Sequence, residues 1–478
     1  MKLLIRLYQI LLRLYNDFVR DTLIAISRIA RKSDKALILD MDWYRVSLSE
    51  EGVRRHLYNN SALSRYMDFI RIERSQILEG KQPDFEITAD NYEHLCFEGF
   101  NLWGICRATI VSDLGIVKID LNDPRHLEKV REIYGKAALA IRNLKKLFAR
   151  IRPDGVFVFQ GGIFDSRCVI ETAREFNINV IGIENSMIGG LVIIDNLSGQ
   201  IINRHSFAHI GSEFLEAHNI TDDERRGIFD LWKRKLTEKA DQHRTGGIDA
   251  VDEMKKALDL PDKRKILLLL AQVRTDASVM LDSPLYVDTV DMIEDVVNCV
   301  RGFEDTFLVI RLHPKEIKGV SLGCTPYDRM TFRALKELGI DRLPNVRIVE
   351  APEFNTYTLM DIADAGVTIN SQAGLEMSIL GKPVMVCGSA FYGRKGFTID
   401  LGHSSALRST LDFLIHEAAL TLEQRKLALN FLYYFYKRHL FDHELSIHGD
   451  RLLQIFYDRP LYQQELPKKV QQRDEELI

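Results

Sequence analysis

Five consecutive aliphatic residues, Ile266-Leu267-Leu268-Leu269-Leu270, constrain this chain more than any other feature. A run without polar alternation has no solvent face. It reads as a strand buried on both sides, as in a parallel sheet covered by helices. Similar short runs recur at 307–310, 346–349, 366–369 and 384–386, with helical patterns around 286–301, 330–338, 373–380 and 405–418. That rhythm is the mark of a doubly wound α/β fold.

The first half repeats it. Pro153-Asp154-Gly155 ends a long helical pattern at 127–151 and leads into an apolar strand at 156–159. Gln160-Gly161-Gly162 then turns into a helix through Phe176, and a strand follows at 179–183. Residues 36–40 read as the opening strand, 110–119 has β character, 191–195 and 201–210 are strand-like, and 222–240 is helical. A chain of 478 residues exceeds one typical core. The expectation is therefore two Rossmann-like α/β domains facing a central cleft, at 33–245 and 250–420, joined near 243–248. C-terminal helices and a charged tail occupy 421–478, and the helices at 420–440 and 444–457 suit a return over the first domain.

Residues 1–32 stand apart. Leu3, Leu4, Leu7, Leu11, Leu14, Phe18 and Ile26 form a helical apolar stripe beside a face rich in Lys and Arg. A basic amphipathic helix of this kind suits the inner face of a membrane, and it equally suits packing on the body of the protein. Arg6, Arg13 and Arg20 interrupt it, so it reads neither as a signal peptide nor as a spanning helix. A net charge of -4 gives no general attraction to nucleic acid. Six cysteines without CxxC pairing point to buried thiols in a reducing compartment, and the expected location is cytoplasmic.

Ligands of α/β sheets bind beyond the carboxyl ends of the strands, and four such ends here are polar. Gln272-Val273-Arg274-Thr275-Asp276-Ala277-Ser278 follows the first run. Asp276 is its one carboxylate, a candidate for chemistry or a plain helix N-cap. Arg311-Leu312-His313-Pro314-Lys315 offers an imidazole between two cations, suited to a phosphate leaving group. Ser371-Gln372-Ala373-Gly374-Leu375-Glu376 places small and polar residues at a strand-to-helix turn, where free N–H groups suit an anion; an ordinary turn gives the same pattern. Gly388-Ser389-Ala390-Phe391-Tyr392-Gly393-Arg394-Lys395-Gly396 suits a loop closing over substrate, or a surface turn. In the first domain Gln160, Glu184 and Asn185 end two neighbouring strands. Walker, GxGxxG, HExxH, GxSxG and EF-hand patterns are absent, and Asp40-Met41-Asp42 is the nearest approach to a DxD pair.

Taken in order, Gln272–Ser278, His313-Pro314, Ser371–Glu376 with Gly381-Lys382-Pro383-Val384, Gly388–Tyr392 and Gly396–Asp400 resemble the bacterial capsule-synthesis glycosyltransferases. The chain is most similar to the β-Kdo transferases of capsule and lipopolysaccharide assembly. The resemblance covers roughly 265–400 well and the first domain loosely. It implies a GT-B architecture, a CMP-Kdo donor, a glycan or glycolipid acceptor, no metal or other cofactor, and a retaining double displacement. It also implies Asp276 as nucleophile, His313 facing the departing CMP phosphate, Ser371 and its turn holding that phosphate, and Glu376 near the nucleotide. Gln272, Ser278, Arg311, Lys315, Gln372, Gly374 and Tyr392 complete the implied donor side. Gln160, Glu184 and Asn185 make the acceptor side, where the family's Glu-Asp-Gly stands as Glu184-Asn185-Ser186. The family's tryptophan in the Phe-Tyr loop is replaced, with Lys395 nearby. The alternatives are a GT-B enzyme using a UDP- or GDP-sugar (transferase or 2-epimerase) and a non-catalytic scaffold of polysaccharide assembly.

Overall fold

The structure, a computed structural model, describes residues 36–41, 67–185, 191–195, 211, 215–216, 220–242, 248, 250–261, 264–317, 328–350 and 353–442. The basic segment 1–32, the strand-like stretch 201–210, most of the linker and the helix expected at 444–457 lie outside these residues.

In chain order the first half runs β1 (Ala36–Asp40), β2 (Met67–Arg71), a hairpin of β3 (Cys96–Phe97) and β4 (Phe100–Asn101), α1 (Leu102–Leu114), α2 (Pro124–Ile151), β5 (Gly155–Phe159), α3 (Phe164–Glu175), β6 (Asn179–Asn185), β7 (Leu191–Asp195) and α4 (Asp222–Gln242). The second runs α5 (Val251–Ala257), β8 (Lys265–Leu270), α6 (Ala277–Asp282), α7 (Thr289–Val300), β9 (Thr306–Arg311), α8 (Met330–Glu337), β10 (Val346–Val349), α9 (Thr356–Ile362), β11 (Ala365–Thr368), α10 (Ala373–Ile379), β12 (Val384–Val386) and β13 (Ile399–Asp400). It closes with α11 (Leu407–His416), α12 (Leu422–His439) and β14 (Leu440–Asp442).

These strands build two six-stranded sheets, ordered β14-β7-β6-β5-β1-β2 and β10-β9-β8-β11-β12-β13. The second is parallel throughout. Both faces of β8 are covered, as its unbroken aliphatic run requires. Leu267 and Leu269 pack with Val290, Ile293 and Val297 of α7. Leu268 and Leu270 pack with Leu359 of α9 and with Leu375 and Met377 of α10. The fold is thus α/β with two largely parallel sheets, and the strands expected in the second half are all present.

One element differs from expectation. Residues 110–119 read as β, but α1 runs through Leu114. Asn101 caps its start, accepting from Gly104 N–H at 2.6 Å, and Gly115 in the left-handed region ends it. Ile105, Ile110 and their neighbours are buried against α2 and α3. That burial overrides the strand preference of β-branched residues.

The C-terminal helix α12 joins the two halves. Asn430 gives its side-chain N–H to the Leu215 carbonyl at 3.0 Å and accepts from Arg225 at 2.7 Å. β14 then adds an antiparallel edge to the first sheet beside β7. On its other side α12 lays Phe431 and Phe435 against Phe391. Among the described residues no helix is long and apolar enough to cross a membrane.

Phe431 is fully buried between the rings of Phe391, Phe397 and Phe435. Phe431→Ala is expected to cost about 3–5 kcal/mol, read as a lower urea midpoint. An unchanged midpoint would show that this aromatic cluster does not fasten α12.

Candidate functional site

The second sheet reverses its strand order between β8 and β11. At such a reversal the loops from the two carboxyl ends lead to opposite faces and leave a crevice between them, the usual ligand position of an open α/β sheet. Those two loops are 271–276 and 369–372, and both carry residues singled out above.

In the first loop Asp276 does cap α6. Its Oδ1 accepts from Ser278 N–H at 2.9 Å and from Ser278 Oγ at 2.8 Å, and its Oδ2 accepts from Gln272 Nε2 at 3.2 Å. A carboxylate offers about four lone-pair sites. Among the described residues three are occupied, and one on Oδ2 remains. The plain N-cap and the chemical candidate are therefore one group, a half-buried carboxylate locked in orientation with one acceptor position open.

The loop is braced from beneath. Arg274 forks onto the fully buried Asp288, with Nε at 2.9 Å and Nη2 at 2.8 Å from Oδ2. The Arg274 N–H donates to Glu316 Oε1 at 3.1 Å. Glu316, itself buried, also accepts from Thr331 N–H and Oγ at 2.9 and 2.7 Å. Glu316 closes the single turn Pro314–Glu316 that follows His313. One buried carboxylate thus ties the His313 turn to the Asp276 loop. Sequence reasoning missed it, although its place two residues after His313-Pro314 was a signal.

His313 Nδ1 accepts from Lys315 N–H at 3.1 Å. The neutral ring then carries its proton on Nε2, as a donor. Lys315 is exposed. Arg311 is buried and gives Nε to Thr356 Oγ at 3.2 Å and Nη1 to the Leu312 carbonyl at 3.1 Å. Burial lowers its pKa to about 10, against the pull of Glu350 and Glu353.

At the second loop Ser371 N–H donates to Thr368 Oγ at 3.2 Å, and Thr368 Oγ donates to the Leu270 carbonyl at 3.1 Å. The turn is therefore fastened to the end of β8. Several of its N–H groups, expected to be free, are used within the turn: Ala373 N–H on Ser371 Oγ at 3.3 Å and Gly374 N–H on the Ser371 carbonyl at 3.1 Å. Among the described residues the Ser371 hydroxyl proton and the Gln372 N–H and side chain remain as donors. Gly374 is small for a packing reason, since a Cβ there would lie 2.1 Å from the Tyr392 hydroxyl. That hydroxyl donates to the Ser371 carbonyl. Glu376 is buried and hydrogen-bonds the hydroxyl of Tyr357, whose pKa burial and this charge push well up.

The segment 388–396 corrects an expectation. Phe391, Tyr392 and Lys395 are all buried, so it is a packed insertion supporting the Ser371 turn and not a loop over substrate. The apolar partners are Phe431 and Phe435, distant in sequence, which is why the local pattern of glycines and cations reads as a surface loop.

From the first sheet, Gln160 ends β5 with φ +51°, and Gly161 N–H bonds back to the Phe159 carbonyl at 2.6 Å. A tight turn with positive φ at a non-glycine residue is strained. Two residues on, a Cβ at Gly162 would lie 2.9 Å from the Ala277 Cβ and 3.6 Å from Gln160 Oε1. The carboxyl ends of the two sheets therefore meet here, beside Asp276. Glu184, half-buried, lies further along β6 opposite Ile193 of β7, and the Asn185 backbone pairs with Val192. Asp40 ends β1 and pairs with Arg71 at 3.0 Å.

Residues 205–436 match the model of a family described as capsule polysaccharide biosynthesis protein. The chain resembles that group over the span carrying every second-sheet residue named above. It is 35% identical over 145 residues to the capsule polysaccharide export protein KpsS of Escherichia coli, covering 30% of this chain and 34% of that protein. It is 27% identical over 168 residues to Protein FixF of Sinorhizobium fredii, covering 34% and 36%. The chain thus spans about a third of the length of these curated relatives. Similar solved structures include Thermosulfurimonas dismutans KpsC, beta Kdo 2,7 transferase, with TM-score 0.35, 16% identity, and 60% of this chain and 79% of that one covered. An S. aureus MnaA–UDP structure has TM-score 0.33 and 10% identity, with 90% and 99% covered.

Lys395 yields a pH test. Burial lowers its pKa to about 7, against the attraction of Asp400. Between that value and the ordinary lysine value near 10.4 the unfolded chain holds more protons, so stability rises with pH through this window. The slope approaches about 1.4 kcal/mol per pH unit for one proton. Urea unfolding at pH 7 and pH 9 should show Lys395→Met with a smaller gain than wild type over that interval. Equal gains would contradict the assignment.

Proposed function

We propose that this protein is a glycosyltransferase of cell-surface polysaccharide or glycolipid assembly. In this reading it moves a sugar acid from a CMP-activated donor, CMP-Kdo, with retention of configuration and without a metal. The observation that carries the reading is the placement of Asp276 and Ser371 on the two loops that flank the reversal point of the second sheet.

The chemistry divides between them. The open Oδ2 position of Asp276 attacks the anomeric carbon as the bond from that carbon to the phosphate oxygen breaks, and CMP leaves with the electron pair. The Nε2–H of His313 and the hydroxyl of Ser371 hydrogen-bond the phosphate, with Gln372 adding donors, and stabilise the charge that gathers there. In the second step an acceptor hydroxyl attacks the same carbon from the vacated side, releases its proton to water, and expels the Asp276 carboxylate. One hard substitution becomes two easier ones, and two inversions give retention. In this reading Gln160, near Gly162, belongs to the acceptor side, with Glu184 and Asn185 further along β6. Buried Arg311, Gly374, Tyr392 and Glu376 serve in this reading by shaping the pocket, while exposed Lys315 adds charge at its rim.

The test has two arms. CMP should raise the thermal midpoint by binding the folded state, and UDP should not. With CMP-Kdo and a lipid-linked or synthetic acceptor, Asp276→Ala and Asp276→Asn should lower transfer at least about 1,000-fold, the scale of losing a covalent nucleophile. Stabilisation by UDP alone would favour a UDP-sugar enzyme. Transfer at the wild-type rate by either variant would remove Asp276 from the mechanism.

A further inference from the structure

Two buried amides, Gln272 and Asn370, link the phosphate turn to Asp276, and their bonds run one way. Asn370 N–H donates to Gln272 Oε1 at 2.6 Å. A backbone N–H can only donate, so this bond fixes the amide orientation and turns Nε2 outward. Nε2 then meets Asp276 Oδ2 at 3.2 Å and lies 3.4 Å from Ser278 Oγ. Asn370 Nδ2 meanwhile donates to the Ser278 carbonyl at 3.0 Å, which holds the first turn of α6 from the same residue.

The arrangement has a cost. Asn370 is 5% exposed, and its Oδ1 has no hydrogen-bond partner among the described residues. Leaving a buried amide oxygen unpaired costs free energy. Gly388 makes room for it, since a Cβ there would lie 2.3 Å from that oxygen. An apolar residue would avoid that penalty and lose the bond to the Ser278 carbonyl, so hydrogen bonding and not packing accounts for the asparagine.

We propose that Gln272 and Asn370 are positioning residues: together they set the orientation of the Asp276 carboxylate and couple it to the turn that receives the donor phosphate. The inference rests on the reading of Asp276 as nucleophile. Gln272, named above on the implied donor side, hydrogen-bonds Asp276. Asn370, directly before Ser371, joins the site beside the residues named above. Thr368 also ties Ser371 to Leu270, so the turn and the carboxylate are braced on the same strand end.

The experiment uses Gln272→Met, Gln272→Glu and Asn370→Ala in the full chain. Gln272→Met keeps length and loses the N–H, so kcat should fall about 10–100-fold, the cost of a misplaced reacting group, with KM for CMP-Kdo within about twofold. Gln272→Glu puts an oxygen against Asp276 and should be impaired at pH 8. It should recover relative to wild type as the pH falls to 5.5, because the protonated acid restores a donor. A residue that only packs would give neither the kcat-against-KM split nor the pH recovery, and their absence in a chain whose wild type transfers would overturn the relay. A wild type inactive with CMP-Kdo would instead overturn the functional reading. The relay is then judged by crystal structures of Gln272→Met and Asn370→Ala: a rotated Asp276 carboxylate supports it, and an unmoved one in both refutes it.

Discussion

The reversal of strand order between β8 and β11 is the constraint from which the rest follows. Helices on either side of β8 cover opposite faces, because its aliphatic residues alternate between two cores. Neighbouring chain segments must then leave the sheet in different directions, and the gap at the carboxyl end is a consequence of topology. Into that gap the chain places polar residues that would be costly elsewhere in a buried sheet. It satisfies most of them against one another: Gln272 with Asn370 and Asp276, Thr368 with Ser371 and Leu270. Pairing of this kind lets a carboxylate sit at the end of a wholly apolar strand.

What was legible in the sequence follows the same division. The strands 266–270, 307–310 and 366–369 announce themselves because burial on both faces demands unbroken aliphatic runs. The residues after them stand out for the same reason, as polar groups at the end of apolar runs. Asp276, His313 and Ser371 therefore stood out as candidates. Local pattern failed where partners are remote. Residues 110–119 look like a strand until α2 and α3 bury them, and 388–396 looks like a surface loop until Phe431 and Phe435 arrive from α12. Glu316, Asp288 and Asn370 were not singled out, since each matters through a bond to a residue on another loop.

The bracing also explains why the site sits between two sheets. Gly162 accepts the close approach of Ala277, and Met280 packs with Ala108 and Val111 of α1. The helix capped by Asp276 is therefore held by the first sheet's side of the molecule as well as by the second. A second fastening between the halves is supplied by α12 with β14, at the far edge of the first sheet.

In the proposed mechanism the open Oδ2 position of Asp276 is the point of bond formation. The direct measurement is peptide-level mass spectrometry of the protein quenched with acid after mixing with CMP-Kdo in the absence of acceptor. The expected result is one sugar residue on the peptide containing Asp276, absent from Asp276→Asn. An adduct on another residue, or none in a preparation that transfers sugar once acceptor is added, would contradict it.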